Sequence, residues 1–180
     1  KQKQKLTRMA ENDALTGLYN RQTAIPRIKE FLQNMNGETA ALIMLDLDNF
    51  KLVNDVFGHA YGDSVIAGNA AKLKSFFRQD DIICRIGGDE FLVFCKNIGE
   101  EVLENKITQV IEEMRTTYDN GEQKMTFSVS AGYAMMPDQG TEFDDLYQRA
   151  DIALFAAKTE GRGTFRKFEA SMKKIRYELA

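Results

Sequence analysis

Two apolar, β-rich runs, 82–86 and 91–95, are joined by Gly87-Gly88-Asp89-Glu90, and no other stretch constrains the fold as tightly. Glycine-bearing connections between such runs are the usual hairpin signal, because glycine reaches backbone angles that other residues avoid. An antiparallel pair is therefore the first element of the fold. Ala40 to Leu47 reads as a buried strand ending in Asp46-Leu47-Asp48. Residues 125–134 alternate and are rich in β-formers, and a short strand is expected near 164–168.

Helical spacing fills the gaps. Ile25, Ile28, Phe31, Leu32 and Met35 share one stripe, with Pro26 expected in the first turn, where a missing N–H costs nothing. A short helix is expected over 49–57, closed by Gly58, and a longer one over 61–77. Leu103, Ile107, Val110, Ile111, Met114 and Tyr118 mark a further helix. Thr141-Glu142-Phe143-Asp144 resembles a capping box, opening a helix that buries Phe143, Leu146, Tyr147, Ala150, Leu154 and Ala157 and stops at Gly161. Residues 170–180 read as helical. The order strand, helix, hairpin, helix, strand predicts an α+β fold, a central mostly antiparallel sheet flanked by helices.

The chain has 180 residues, 43% of them hydrophobic, which suits one compact domain with a real core. Its 24 basic and 27 acidic residues give a net charge of −3, which offers no electrostatic footprint for DNA or RNA. A few placed cations and a metal can still hold a free nucleotide. No run approaches bilayer-spanning length and no signal-peptide pattern opens the chain, so no membrane contact is expected of this segment. With a turn at Gly88-Asp89, Cys84 would face Val93 and have Cys95 only as a diagonal neighbour. That is too far for a comfortable disulfide, so both thiols are expected reduced and the domain cytoplasmic. Starting at Lys1, the chain reads as a piece of a longer protein, with 1–11 as the tail of a helix arriving from upstream.

Asp46 and Asp48, at i and i+2 of a strand end, project to one side of the pleat. Such a pair can hold a hard cation beside substrate phosphates, although a solvated strand end before a helix has the same pattern. Asp89 and Glu90 stand at the hairpin tip. If the strands are neighbours, the two acidic pairs together can serve one or two divalent metals in phosphoryl or nucleotidyl transfer.

Several motifs follow in order: Asp13-Ala14-Leu15-Thr16-Gly17-Leu18-Tyr19-Asn20-Arg21; Asp46-Leu47-Asp48-Asn49-Phe50-Lys51 with Asn54-Asp55; Phe57-Gly58-His59 and Gly62-Asp63; and Arg85-Ile86-Gly87-Gly88-Asp89-Glu90-Phe91. Ser130-Ala131-Gly132, Ala150-Asp151, Ala157-Lys158 and Gly161-Arg162 complete the set. From Asp13 to Phe168 the chain thus resembles the GGDEF family of diguanylate cyclases, which join two GTP molecules into cyclic di-GMP and pyrophosphate. The resemblance implies a ferredoxin-like, nucleotidyl-cyclase palm fold with the signature turn Gly87, Gly88 and Phe91 on a β-hairpin. It divides the chain into an upstream linker helix over 1–12, the domain over 13–168, and a C-terminal linker helix over 169–180 of the kind that leads into EAL phosphodiesterase domains.

The same resemblance implies roles. Asp46, Asp89 and the Leu47 carbonyl would hold two Mg²⁺ or Mn²⁺ ions per half-site, with Glu90 assisting. Asp89 would take the proton of the ribose 3′-hydroxyl. Asn54 and Asp63 would read guanine, whose N–H donors a carboxylate accepts. Lys51, Lys158, Arg162 and backbone N–H groups around Phe50 would neutralise the phosphates. Arg78 and Asp81 match an inhibitory product-binding RxxD motif. His59, the sole histidine, would position the guanine-site loop and stays outside the catalytic set. Each domain holds one GTP, so catalysis implies a homodimer. One departure is Gly163, where the family usually has Asn after the late Gly-Arg; it is expected to loosen the turn carrying Arg162. The rival readings are a catalytically weak domain that binds GTP or cyclic di-GMP to regulate a neighbour, and a dimerising scaffold without nucleotide.

Overall fold

The computed structural model describes residues 1–173. Along the chain run α1 (Gln2–Glu11), α2 (Arg21–Gln33), β1 (Ala40–Leu47), α3 (Phe50–Phe57), α4 (His59–Phe76), β2 (Ile82–Gly87) and β3 (Glu90–Lys96). They are followed by α5 (Glu100–Met114), β4 (Thr116–Asp119), β5 (Lys124–Phe127), β6 (Val129–Met136), α6 (Phe143–Thr159) and β7 (Phe165–Lys167). Five strands form one sheet in the order β2-β3-β1-β6-β7, antiparallel except for the β6–β7 pair. This is the expected α+β architecture.

Strand β1 lies at the centre, and its alternation divides the core. Ala41, Ile43, Leu45 and Leu47 point toward α3, α4 and α5, where they meet Val53, Leu73 and Leu103. Ala40, Leu42 and Met44 point the other way, toward Ile28 of α2 and Leu146 of α6. Both faces are covered, so β1 reads as one continuous apolar run rather than an alternating one. Asp46 has the parity of Met44 and therefore stands at the α2/α6 face, where the sheet ends.

Several local expectations change. The hairpin carries a bulge: Arg85 faces Phe91 and Gly87 faces Glu90, leaving Ile86 unpaired. The extra residue shifts the register by one, so Cys84 faces Leu92 rather than Val93. Cys84 and Cys95 then fall in the two different cores, on opposite faces of the sheet. Both are free and buried, and burial pushes both thiols up, which leaves them inert.

Pro26 lies inside α2 rather than in its first turn, because Asn20 starts the helix early by accepting from Thr23 N–H at 2.9 Å. Helix α5 ends at Met114, and Tyr118 belongs to β4, whose pairing with β5 hid behind a coincidental helical spacing. The expected strand over 125–134 is two strands broken at Ser128, since β5 pairs with β4 while β6 pairs with β1. Thr141 forms no capping box; Glu142 precedes α6 without a side-chain cap. The helix expected over 170–180 falls largely outside the described residues.

Candidate active site

The bulged hairpin brings Glu90 opposite Asp46 on β1. Burial pushes the Asp89 carboxyl up to about 7, reinforced by a hydrogen bond and like charge from Asp46. Burial also raises Glu90, with Asp46 and Asp151 adding to the shift. One oxygen of Asp46, Oδ1, is buried without a hydrogen-bond partner. Its other oxygen, Oδ2, lies 2.8 Å from Lys158 Nζ at the end of α6. The negative charge of Asp46 makes an ionised Asp89 costly unless a cation sits with the pair. A hard divalent ion fits this donor set, because it would satisfy the orphan oxygen and offset that repulsion. Among the described residues no three acidic, histidine or cysteine side chains form a ready cluster, so the fit rests on the two carboxylates. Lys158, expected on phosphate, is paired with Asp46 here.

Asp48 is not the second member of a metal pair. It is 2% exposed, and both its oxygens are used. Oδ2 accepts from Ser128 Oγ at 2.6 Å and from Gly163 N–H at 3.0 Å, while Oδ1 accepts from Ser130 Oγ at 2.7 Å. The carboxylate thereby fastens the turn of Gly161, Arg162 and Gly163 to the end of the sheet. Arg162 and Gly163 have φ of 65° and 63°, the left-handed region that glycine enters without strain. The expected loosening at Gly163 is therefore not seen: the turn is pinned through its own N–H.

Asn49, at φ 56°, turns the chain from β1 into α3, so the Phe50 and Lys51 N–H groups open that helix, where no intrahelical acceptor exists. Asn54 of α3 lies against α4 so closely that a Cβ on Gly62 would stand 1.9 Å from Asn54 Oδ1. Asp63 follows Gly62 on α4 and is exposed, so of the two expected guanine readers Asn54 packs at the α3–α4 contact and Asp63 stands next to it in sequence on the solvent side. His59 is exposed at the first position of α4. Phe91 is buried beneath the hairpin, whose turn contains Gly88 at φ 54°.

Arg85 supports that turn. Its Nε donates to the Gly88 carbonyl at 2.9 Å, and Nη1 reaches both Asp13 oxygens at 3.2 Å. Asp13 also accepts from the Thr16 N–H and hydroxyl; burial opposes ionisation, but these bonds and Arg85 hold the carboxyl below its usual range. Sequence reasoning assigned no role to Asp13 or Arg85, although each sits within a quoted motif.

Arg78 and Asp81 come together, but largely with backbone. Asp81 Oδ2 accepts from Arg78 N–H at 2.9 Å and Oδ1 from Lys96 N–H at 3.2 Å, and its side chain is 1% exposed. The Arg78 guanidinium bonds the Lys96 carbonyl and lines a cavity of about 650 Å³ with Arg8, Asn12, Tyr19 and Lys74. Asp81 thus holds the turn into β2, whereas Arg78 faces open space.

Residues 10–164 match the family described as "Diguanylate cyclase, GGDEF domain". The chain is 32% identical over 175 residues to "Cyclic di-GMP phosphodiesterase PdeR" of Escherichia coli, covering 97% of this chain and 26% of that protein. It is 31% identical over 169 residues to "Bifunctional diguanylate cyclase/cyclic di-GMP phosphodiesterase MucR" of Pseudomonas aeruginosa, covering 93% of this chain and 25% of that protein. The chain thus spans about a quarter of these relatives. The crystal structure of the coiled coil and GGDEF domain of DgcB from Caulobacter crescentus, in complex with c-di-GMP, superposes with a TM-score of 0.84 at 26% identity, covering 92% of this chain and 90% of that one.

Proposed function

Because this chain belongs to the GGDEF domain family, we propose that it is a diguanylate cyclase that condenses two GTP molecules into cyclic di-GMP and pyrophosphate. The observation that carries this reading is the Asp46–Asp89 pair, whose crowded carboxyls and orphan oxygen suit a divalent cation. When bound, Mg²⁺ or Mn²⁺ would polarise the α-phosphate and stabilise the departing pyrophosphate. Asp46, the Leu47 carbonyl, Asp89 and Glu90 would hold the two ions of a half-site.

The chain's own groups divide the remaining work. Asp89, at a carboxyl pKa near neutrality before metal arrives, suits the proton of the 3′-hydroxyl as general base. Asn54 of α3 and Asp63 of α4 would read the guanine edge. The Phe50 and Lys51 N–H groups, with the Lys51 and Arg162 side chains, would neutralise phosphate at the opening of α3. Lys158 would leave Asp46 for phosphate once a cation compensates that carboxylate. Arg85, braced by Asp13, fixes the turn from which Asp89 projects. A half-site supplies one nucleotide, so two chains must face each other for in-line attack. Among the described residues no helix is long and apolar enough to cross a membrane.

Incubation of the protein with GTP and Mg²⁺ or Mn²⁺ is expected to yield cyclic di-GMP at a rate rising with protein concentration. GTP binding without product would instead favour the second reading, a nucleotide-binding domain that regulates a neighbour, which the likeness to a protein named a phosphodiesterase supports.

Two variants refine the assignment. Gly62→Ala places a methyl where Asn54 Oδ1 now lies, and is expected to weaken GTP binding about tenfold, the value of one or two lost hydrogen bonds, with ATP discrimination falling in step. Arg78→Ala is expected to relieve inhibition by cyclic di-GMP while leaving the initial rate unchanged. Inhibition that persists would make Arg78 a structural residue like Asp81.

A further inference from the structure

We propose that Arg115 is a further phosphate-binding residue of this site, its guanidinium lying against Gly163 in the turn that also carries Arg162; this deepens the diguanylate cyclase reading and rests on it. Arg115 directly follows α5, and its N–H bonds to the Glu112 carbonyl. A Cβ built on Gly163 would meet Arg115 Nη2 at 3.0 Å and Ser128 Oγ at 3.3 Å. The guanidinium therefore lies over the turn, in space that any side chain at position 163 would claim. The departure at Gly163 and the presence of Arg115 are two halves of one arrangement: the missing side chain makes room for the cation.

Charge accounting points the guanidinium at an anion from outside. Asp48, the carboxylate behind this turn, is already engaged by Ser128, Ser130 and the Gly163 N–H. Asp46, the other carboxylate at this end of the sheet, is paired with Lys158. Among the described residues, none of the ion pairs within 4.0 Å includes Arg115. An arginine carries five donors in a planar fork suited to phosphate oxygens and cannot shed its charge. Arg115 is exposed, so its guanidinium, lying against the Gly163 turn, can meet a phosphate there without first being desolvated.

The test uses 3′-deoxy-GTP, which lacks the attacking hydroxyl and so binds without reacting. Arg115→Met, which keeps the aliphatic stem, is expected to bind this nucleotide about tenfold more weakly than wild type. The deficit should shrink as salt rises, because screening weakens a charge contact but not a packing one. Gly163→Asn, whose side chain displaces the guanidinium, is expected to show a similar loss, and the double variant no more than either single one. Affinity within twofold of wild type in Arg115→Met, or a salt-independent deficit, would overturn the proposal while leaving the cyclase reading intact. Wild-type protein that fails to bind 3′-deoxy-GTP would overturn that reading and the proposal with it.

Discussion

Asp89→Asn is expected to reduce cyclic di-GMP formation by at least about a thousandfold, because the Lewis-acid contribution of a held ion is worth several kcal/mol and each ~1.4 kcal/mol is tenfold in rate. The substitution keeps the shape of the hairpin turn but removes the charge and the base that the proposed mechanism assigns to Asp89. The same variant has a second readout that does not involve turnover. In the metal-free protein Asp89 titrates near 7 instead of near 4, chiefly through burial and then through Asp46. A carboxyl raised in this way binds its proton more tightly folded than unfolded. Its contribution to stability is present below its unfolded pKa and is lost as pH rises toward about 7. Asparagine cannot ionise and escapes that loss. Above pH 7, metal-free Asp89→Asn should therefore melt higher than metal-free wild type, and the order should reverse when saturating Mg²⁺ or Mn²⁺ is added. Near-full activity in the variant, or identical melting at every pH, would sink the assignment of Asp89.

What the sequence made legible follows from the distance between cooperating residues. The hairpin, β1 and the apolar stripes of α5 and α6 rest on periodicity within a dozen residues, and the structure keeps them. The β4–β5 hairpin was invisible because Tyr118 continued the spacing of α5 by coincidence, and its real partner is Met125 on the neighbouring strand. The bulge at Ile86 went unseen for a related reason: alternation cannot reveal an extra residue when both faces of a strand are apolar. In the candidate site, the motifs that carry Asp46 and Asp89 stand out in the sequence, and the fold brings these two carboxyls together. Asp48 could be read as half of a metal pair or as part of a solvated strand end, and it is neither, because its partners, Ser128, Ser130 and Gly163, lie far along the chain and are joined to it only by the fold. Arg85 went unassigned for the same reason: its partner Asp13 is separated from it by 72 positions.

Asp48 consequently gives the second large effect. Asp48→Ala leaves two serine hydroxyls and the Gly163 N–H facing a cavity in place of a charged acceptor. Removing one partner of a buried charged network costs about 3–5 kcal/mol, which in a domain of this size lowers the melting temperature by roughly 10 °C. Asp48→Asn keeps one carbonyl oxygen and offers an amide that Ser130 Oγ can accept, so its cost should be no more than about half as large. The functional loss should exceed what stability alone predicts. If Arg162 binds phosphate as proposed, then at a temperature where both variants remain folded the released turn should raise the KM for GTP in Asp48→Ala more than in Asp48→Asn. Calorimetry and steady-state kinetics on the two variants separate the possibilities: equal melting of Asp48→Ala and wild type would refute the buried-acceptor role. A KM unchanged in a folded Asp48→Ala would show instead that the turn keeps its place without that carboxylate. The second of the two aspartates at the end of β1 would then matter to the fold and not to the nucleotide.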